Sequence, residues 1–296
     1  MTRYFTHLLP AAALLTTSLH AVTATTPSPG CGNTPQLITP SASTTPLTIT
    51  SNGKPREFYV LLPDNYDNTH PYRLILTLHA LGGNAQQVTV GEGGYLPWYG
   101  IPALQATNDT SGTGAVYVAP NGIDNGWANQ GGEDVAFLKA VIDTVEGDLC
   151  LDQNLRFSTG FSYGAAMSYS LACSLGKEIR AVAVLSGNPQ ISGCEGGTEP
   201  VAYYGQHGVS DQVLPIAQAR EMRDRFVGNN GCTAQTPSEP AAGSGTHTKT
   251  VYEGCDPAYP VVWNAFDGDH TPQPKDQGAT DTFAAVETWE FFSQFE

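Results

Sequence analysis

The segment GFSYG, residues 160–164, places Ser162 between two glycines in the pattern G-x-S-x-G. An apolar, strand-like run ends just before it, and small and apolar residues at helical spacing follow it. A serine at such a strand-to-helix corner is held in a strained conformation that only small neighbours permit, and the start of the helix stabilises negative charge. We therefore predict that Ser162 is a nucleophile and not a serine in an ordinary tight turn.

A serine hydroxyl needs a base to become nucleophilic, and two later segments supply candidates. Asp211 follows a predicted strand in VAYYGQHGVSDQV, residues 201–213, and His270 follows the last predicted strand in PVVWNAFDGDHTP, residues 260–272. The order Ser, Asp, His is the order of triads built on a strand–turn–helix elbow. We predict that His270 moves the proton, while Asp211 orients the imidazole ring and stabilises its charged form.

Three other titratable side chains lie close to these candidates in the sequence. His207 stands at the end of the strand before Asp211 and is expected to brace a loop or fill the core. Asp269 is adjacent to His270, which leaves its carboxylate badly placed to reach that ring, so we expect it to brace its own loop. His79 ends the third predicted strand and is expected to hydrogen-bond a neighbouring loop.

Negative charge that develops on an ester oxygen needs two backbone N–H donors. Tyr163, the residue after the nucleophile, is expected to supply one of them. The second donor is expected from the loop HALGGN, residues 79–84, where Leu81 is the first choice and Ala80 the alternative. The two glycines of this loop either let it pass close to the substrate or only make a turn.

Aromatic residues are concentrated in two loops that follow the third and fourth predicted strands. Both loops should lie at the edge of the sheet that carries Ser162. We expect Trp98, Tyr99 and Trp127 to line a pocket for a flat ring, with Tyr95 as a further candidate. Buried packing is the alternative role for each of them.

Elsewhere, apolar strand-like runs alternate with segments of helical periodicity. Asn52-Gly53 separates two β-prone runs and predicts a hairpin. Strands without polar alternation are buried on both faces, and strands separated by helices form parallel sheets. The sequence therefore predicts one α/β domain with a doubly wound, mostly parallel sheet. The later predicted strands are residues 73–80, 115–122, 155–160, 181–187, 201–208 and 260–266.

Residues 1–24 have the layout of a secretory signal, with one cation, no acidic residue, an apolar stretch and small residues near the end. Cleavage after Ala21 or Ala24 would leave residues 25–296 as the catalytic domain. A membrane anchor is disfavoured because the apolar stretch is well short of the ~20 residues that span a bilayer. We expect a secreted, extracellular protein, and the sequon beginning at Asn108 predicts N-glycosylation there.

The chain carries 13 basic and 28 acidic residues, which give a formal charge of −15. Such a field repels nucleic acid and anionic membranes and is compatible with uncharged substrates. No cysteine or histidine spacing suggests zinc, so we expect no metal and no cofactor. We also expect no nucleic-acid or membrane partner, and a monomer.

The chain has six cysteines, and an even number in a secreted protein predicts three disulfides. The helix after Ser162 should run back along the preceding strand and bring its cysteine to the one before that strand. Two cysteines near the C-terminal end flank a loop that they could close, and the remaining two are left to pair. The predicted pairs are Cys150–Cys173, Cys232–Cys255 and Cys31–Cys194.

Several segments resemble one known family in the same order along the chain: PYRLILTLHALGG, NGWANQGGEDVAF, FSTGFSYGAAMSYSLACS, VAYYGQHGVSD and the closing GDH and TWEFFSQF. They are similar to the fungal secreted feruloyl esterases of types C and D, relatives of the polyhydroxybutyrate-depolymerase-like esterases. The resemblance runs from about Cys31 to the C-terminus. It implies a single α/β-hydrolase domain, catalysis by Ser162, Asp211 and His270, and release of ferulate from feruloylated arabinoxylan or pectin.

Other functions remain compatible with the same sequence. An acetylxylan or polyhydroxyalkanoate esterase would use the same three catalytic residues. A serine peptidase is disfavoured because no propeller or lid domain is present. A non-catalytic wall-binding protein is disfavoured by the intact Ser–Asp–His order. HALGG also departs from the His-Gly pair that many hydrolases carry, which bears on the second oxyanion donor.

Overall fold

A computed structural model describes residues 24–296, so the predicted signal segment lies outside the described residues except for Ala24. The strands form one nine-stranded sheet in the order β1-β2-β4-β3-β5-β6-β7-β9-β8. The strands from β4 to β9 in that order are parallel, while β1, β2 and β8 run antiparallel to their neighbours. The strands are β1 Leu47–Ser51, β2 Lys54–Leu61, β3 Tyr72–Leu78, β4 Ala115–Pro120, β5 Leu151–Phe161, β6 Ala181–Leu185, β7 Ala202–Gly208, β8 His247–Val251 and β9 Val261–Phe266.

Helices cover both faces of this sheet, which confirms the predicted doubly wound α/β fold. Every residue of β3, β4 and β6 is buried, as expected for parallel strands covered on both sides. Helices α3, α4 and α5 pack on one face, and α1, α2 and α6 pack on the other. Among residues 24–296, none of the helices has the length and apolar character that crossing a bilayer requires. The helices are α1 Ala85–Val90, α2 Ile101–Asn108, α3 Glu133–Asp148, α4 Tyr163–Ser174, α5 Ile216–Asn229 and α6 Phe283–Ser293.

The predicted hairpin is confirmed at its turn. Ser51 pairs with Lys54, so the two residues between them form the whole loop. Asn52 and Gly53 both have positive φ, 51° and 73°, the conformation that an Asn-Gly turn adopts most easily. The first two strands are therefore set locally by their own sequence.

Two of the three predicted disulfides are wrong. Residues at the N-terminal end of the described chain run beside the start of β5, where Ser28 N–H donates to Leu151 O, and this brings Cys31 to Cys150. The end of α4 instead meets the loop before β7, where Gly197 N–H donates to Cys173 O. The observed pairs are Cys31–Cys150, Cys173–Cys194 and, as predicted, Cys232–Cys255.

Loss of the bond between Cys31 and Cys150 is expected to destabilise the fold more than loss of any other disulfide. The two residues are 119 apart, against 23 for Cys232 and Cys255. From the loop-closure entropy of the unfolded chain, we expect the free energy of unfolding to fall by about 5 kcal/mol when the long loop is opened and by about 3.5 kcal/mol when the short loop is opened. Denaturant unfolding of a variant with serine at positions 31 and 150 measures the loss of unfolding free energy. A variant with serine at positions 232 and 255 is its matched control. Equal losses, or a larger loss for the control, would contradict this order.

Candidate active site

The predicted nucleophile elbow is present between β5 and α4. Ser162 has φ 57° and ψ −114°, a backbone conformation that costs an ordinary residue on the order of 1–3 kcal/mol. A Cβ at Gly160 would lie 2.5 Å from the carbonyl carbon of Gly164, and one at Gly164 would lie 2.1 Å from Leu78 O. Both flanking positions therefore require glycine because α4 begins directly against the ends of β3 and β5.

The structure brings His270 and Asp211 together and sets both beside this elbow. His270 Nδ1 lies 2.7 Å from Asp211 Oδ2. The His270 ring packs on the ring of Phe161, the residue before Ser162, with centroids 4.5 Å apart. The Nε2 atom of His270 is buried and has no hydrogen-bond partner within residues 24–296. With Nδ1 donating to the carboxylate, Nε2 is left as a free proton acceptor.

Four donors surround the Asp211 carboxylate. Oδ1 accepts from the N–H groups of Val213 and Leu214, and Oδ2 accepts from His270 and lies 3.2 Å from His207 Nε2. Burial alone would raise the pKa of Asp211, but hydrogen bonds from His207, His270 and Leu214 outweigh it and hold the pKa well below its usual range. The carboxylate of Asp211 is therefore ionised at neutral pH and well into the acidic range.

His207 braces this carboxylate as well as its own loop. Its Nε2 lies 2.7 Å from Leu214 O, and because a carbonyl only accepts, Nε2 carries the proton. The same N–H points toward Asp211, and both side chains are fully buried. The expected loop-bracing role is confirmed, whereas the contact with the aspartate has no sequence signal beyond the short spacing to Asp211.

His79 organises the loop that follows β3. It is fully buried, its Nδ1 donates to Ala80 O, and its Nε2 accepts the N–H of Gly122 from the loop after β4. Burial lowers the pKa of His79 to about 4, so the ring is neutral at neutral pH and both hydrogen bonds keep this tautomer. The expected hydrogen bonding of a neighbouring loop is confirmed.

The two candidates for the second oxyanion donor differ in their hydrogen bonding. The Ala80 N–H already donates to the hydroxyl of Tyr95 at 2.7 Å. For the Leu81 N–H, no acceptor is found in the described part of the chain. Tyr163 is the first residue of α4, where backbone N–H groups have no acceptor inside the helix. This pattern favours Leu81 over Ala80 and leaves both preferred donors available.

Two of the three residues of the predicted aromatic pocket, Trp127 and Tyr99, are hydrogen-bonded within the scaffold. Trp127 is fully buried, and its Nε1–H donates to His79 O. The Tyr99 hydroxyl donates to Leu78 O and accepts the N–H of Phe161, which ties the ends of β3 and β5 together. These side chains hold the loop after β3 and the elbow in place, so Trp127 is not available to a ligand, and a role for Tyr99 in substrate binding stays a prediction.

Trp98 occupies a different place from the other aromatic residues. It is 5% exposed and lines a groove of about 630 Å³ between its own loop, α2 and α6. None of the three candidate catalytic residues lines this groove. A role for Trp98 in substrate binding stays a prediction.

The other expectations from the sequence have mixed outcomes. Asp269 braces its loop as expected, because its carboxylate accepts the N–H groups of Gln212 and His270. Asn108 is exposed at the end of α2, and its glycosylation stays a prediction. Across residues 24–296, no group of three or more metal-ligating side chains converges on one point.

A strained serine between a strand and a helix, with a hydrogen-bonded histidine–aspartate pair packed on the residue before it, is typical of a serine hydrolase with the α/β-hydrolase fold. Solved structures support that fold. The ferulic acid esterase of Anaeromyces mucronatus, in complex with ferulic acid, matches with a TM-score of 0.58 at 14% identity, over 85% of this chain and 89% of that one. The acetyl xylan esterase of Aspergillus awamori matches with a TM-score of 0.57 at 17% identity, over 84% of this chain and 98% of that one.

Relatives at much higher identity specify the family. Feruloyl esterase D of Neurospora crassa is 50% identical over 286 residues, which cover 95% of each chain. Feruloyl esterase C of Emericella nidulans is 45% identical over 285 residues, 95% of this chain and 98% of that one. No family model matches the sequence. The chain belongs to the family of fungal feruloyl esterases of types C and D.

Proposed function

We propose that this protein is a feruloyl esterase, a carboxylic ester hydrolase that releases ferulic acid from feruloylated plant cell-wall polysaccharides such as arabinoxylan and pectin. The observation that supports this most strongly is the Ser162 elbow beside the His270–Asp211 pair, in a chain half identical to a relative named feruloyl esterase D. The net charge of −15 is compatible with an uncharged polysaccharide.

The proposed reaction has two halves. Ser162 Oγ attacks the ester carbonyl while His270 Nε2 takes its proton, and the N–H groups of Leu81 and Tyr163 hold the resulting oxyanion. Collapse of this intermediate breaks the bond to the sugar oxygen, which leaves with the proton from His270, and a feruloyl-serine remains. Water then attacks that ester, again with His270 as base, and ferulic acid and the free serine are released. Asp211 stabilises the imidazolium in both halves.

The proposed cellular location, glycosylation and oligomeric state of the enzyme rest on the sequence. We propose secretion directed by residues 1–24, with residues 25–296 as the single catalytic domain, and an extracellular monomer glycosylated at Asn108. Acetylxylan and polyhydroxyalkanoate remain alternative substrates, since the three catalytic residues do not select an acyl group. A non-catalytic wall-binding protein would have no use for His270 Nε2, which is buried and has no hydrogen-bond partner among residues 24–296.

A panel of substrates tests this function. We expect kcat/KM for methyl ferulate to exceed that for acetylated xylan by on the order of 10–100-fold, and a peptide amide to remain intact. Burial of a planar ring contributes roughly 25 cal/mol per Å² of apolar surface, energy that an acetyl group is too small to gain. Initial rates with purified protein, compared with methyl caffeate, p-coumarate and sinapate, measure the preference. Faster turnover of acetylated xylan would assign the protein to the acetyl esterases instead.

A further inference from the structure

Two imidazole rings meet at one oxygen of the Asp211 carboxylate, and the proposed reaction uses only one of them. Oδ2 of Asp211 lies 2.7 Å from His270 Nδ1 and 3.2 Å from His207 Nε2. His207 is the last residue but one of β7 and pairs with Ala265 of β9, the strand that His270 follows. The side chains of His207 and Asp211 are fully buried, so the second ring can act on the carboxylate but cannot reach a substrate.

His207 also holds the turn that presents Asp211. Its Nε2–H donates to Leu214 O at 2.7 Å, and the Leu214 N–H donates to Asp211 Oδ1 at 2.7 Å. The peptide groups of Leu214 are therefore fixed by Asp211 on one side and by His207 on the other. Through this single N–H, the end of β7 is tied to both ends of the turn formed by residues 211–214.

The His207 ring is a fixed donor and not a carrier of protons. Its Nδ1 atom is buried and has no hydrogen-bond partner in the part of the chain that the structure describes. A ring that took up a second proton would bury an N–H group without an acceptor, and such a group costs free energy. The one proton of His207 therefore stays on Nε2, between Leu214 O and Asp211 Oδ2.

The same contact acts on the charge of Asp211. Burial raises the pKa of this carboxyl group, and hydrogen bonds lower it to well below its usual range. The hydrogen bond from His207 lowers the pKa more than those from His270 and Leu214. Because an ionised carboxylate stabilises the charged imidazole ring that forms during the reaction, His207 supports the form of Asp211 that catalysis needs.

We propose that His207 is a positioning residue for ester hydrolysis, an inference that rests on the catalytic roles of Ser162, His270 and Asp211 in the proposed function. It acts through Asp211. By fixing Oδ2 and the turn, His207 holds the His270 ring with Nδ1 on the carboxylate and Nε2 free to take the serine proton. Both halves of the reaction use His270, so loss of this support slows acylation and deacylation alike.

The test compares two replacements of His207 that differ in their donor. Glutamine can place an amide N–H near the position of Nε2, whereas methionine fills similar space and has no donor. We expect His207→Met to lower kcat for methyl ferulate on the order of 10²-fold, the cost of a small misplacement at a reacting centre, with KM changed by less than about twofold. His207→Gln should recover most of the lost kcat.

Gln206→Met is the matched control, since Gln206 is a buried polar residue of the same strand. Its side chain accepts a hydrogen bond from the Tyr204 hydroxyl and faces the opposite side of the sheet from His207. This variant should leave kcat unchanged, and thermal unfolding of all three variants measures their stability. A fall in kcat equal to that of His207→Met would show that loss of any buried polar group in β7 has the same effect, and would refute the proposal.

Nuclear magnetic resonance supplies a readout that needs no turnover. The Nδ1 proton of His270 should resonate far downfield of ordinary N–H protons, because its bond to a carboxylate is short and charge-assisted. This signal should broaden or move upfield in His207→Met and return in His207→Gln. Nitrogen shifts of the unmodified protein should identify His207 as the Nε2–H tautomer. An Nδ1–H tautomer would refute the proposal even if His207→Met failed to fold.

A second ester separates this inference from the proposed function. A protein that hydrolyses 4-nitrophenyl acetate but not methyl ferulate would refute the feruloyl preference, and the His207 variants would then be compared on the nitrophenyl ester. Folded His207→Met with unchanged kcat, a loss confined to KM, or His207→Gln as slow as His207→Met would each refute the positioning role.

Discussion

Ser162→Ala is expected to lower kcat/KM for methyl ferulate by about 10⁵-fold or more while the protein remains folded. The substitution removes only the hydroxyl group. Because this hydroxyl makes no capping hydrogen bond to α4, the native state loses no stabilising hydrogen bond at the helix start. Loss of a nucleophile that acts together with its base removes nearly all covalent catalysis, and only oxyanion stabilisation and binding remain. Rates at saturating enzyme, together with thermal unfolding, measure both effects.

Ser162→Gly separates catalysis from stability at the same position. The backbone at φ 57° and ψ −114° is strained for serine and far less so for glycine. This variant should be as inactive as the alanine variant and more stable than the unmodified protein by about 1 kcal/mol. Hydrolysis at anything near the unmodified rate by either variant would show that another group is the nucleophile.

Asp211→Asn is expected to lower kcat by on the order of 10⁴-fold, the loss seen when a triad histidine is held in the wrong tautomer. Oδ2 of Asp211 faces N–H donors from both His207 and His270. An asparagine amide can accept from both histidines only if its oxygen points toward them. Its NH₂ group would then point at the N–H groups of Val213 and Leu214, which donate to Oδ1 of Asp211 in the unmodified protein. In either orientation the NH₂ group of the asparagine points at N–H donors, and this disturbs the tautomer of His270.

Asp269→Asn is the matched control for that loss. Asp269 adjoins His270, and in the part of the chain that the structure describes its carboxylate accepts backbone N–H groups only, from Gln212 and His270 itself. An asparagine oxygen can accept the same hydrogen bonds, so kcat should change by less than about tenfold. If the control lost as much activity as Asp211→Asn, the carboxylate that serves His270 would have to be reassigned.

The sequence predicts the Ser162 elbow and the contact between Asp211 and His270 because its signals there are local. The glycines around Ser162 are required by contacts within a few residues of the elbow, and the Asn52-Gly53 turn is set by its own backbone. Asp211 and His270 follow strands whose apolar runs are easily recognised, and parallel strands bring their carboxyl ends to one edge. Position along the chain was therefore enough to select them.

The sequence misleads where the outcome depends on distant partners. Composition alone does not separate a tryptophan that binds a ligand from one whose indole donates to a carbonyl 48 positions away, as Trp127 does to His79. The Cys31–Cys150 bond depends on where the N-terminal segment runs, and that path is set by the pairing of Pro27 with Asp152. Strand β8 is absent from the prediction because its residues, HTKTV, are polar and lie at an exposed edge.

If Ser162 carries the acyl group during turnover, the feruloyl-enzyme can be trapped, and its detection is the most direct test of the proposed mechanism. 4-Nitrophenyl ferulate has a good leaving group, so acylation should outrun hydrolysis of the feruloyl-enzyme and give a burst of nitrophenol. Acid quench within the burst, followed by peptide mass spectrometry, should find one feruloyl group on the peptide that contains Ser162, and none in Ser162→Ala. A burst with the feruloyl group on another residue, or a burst that persists in Ser162→Ala, would contradict the account.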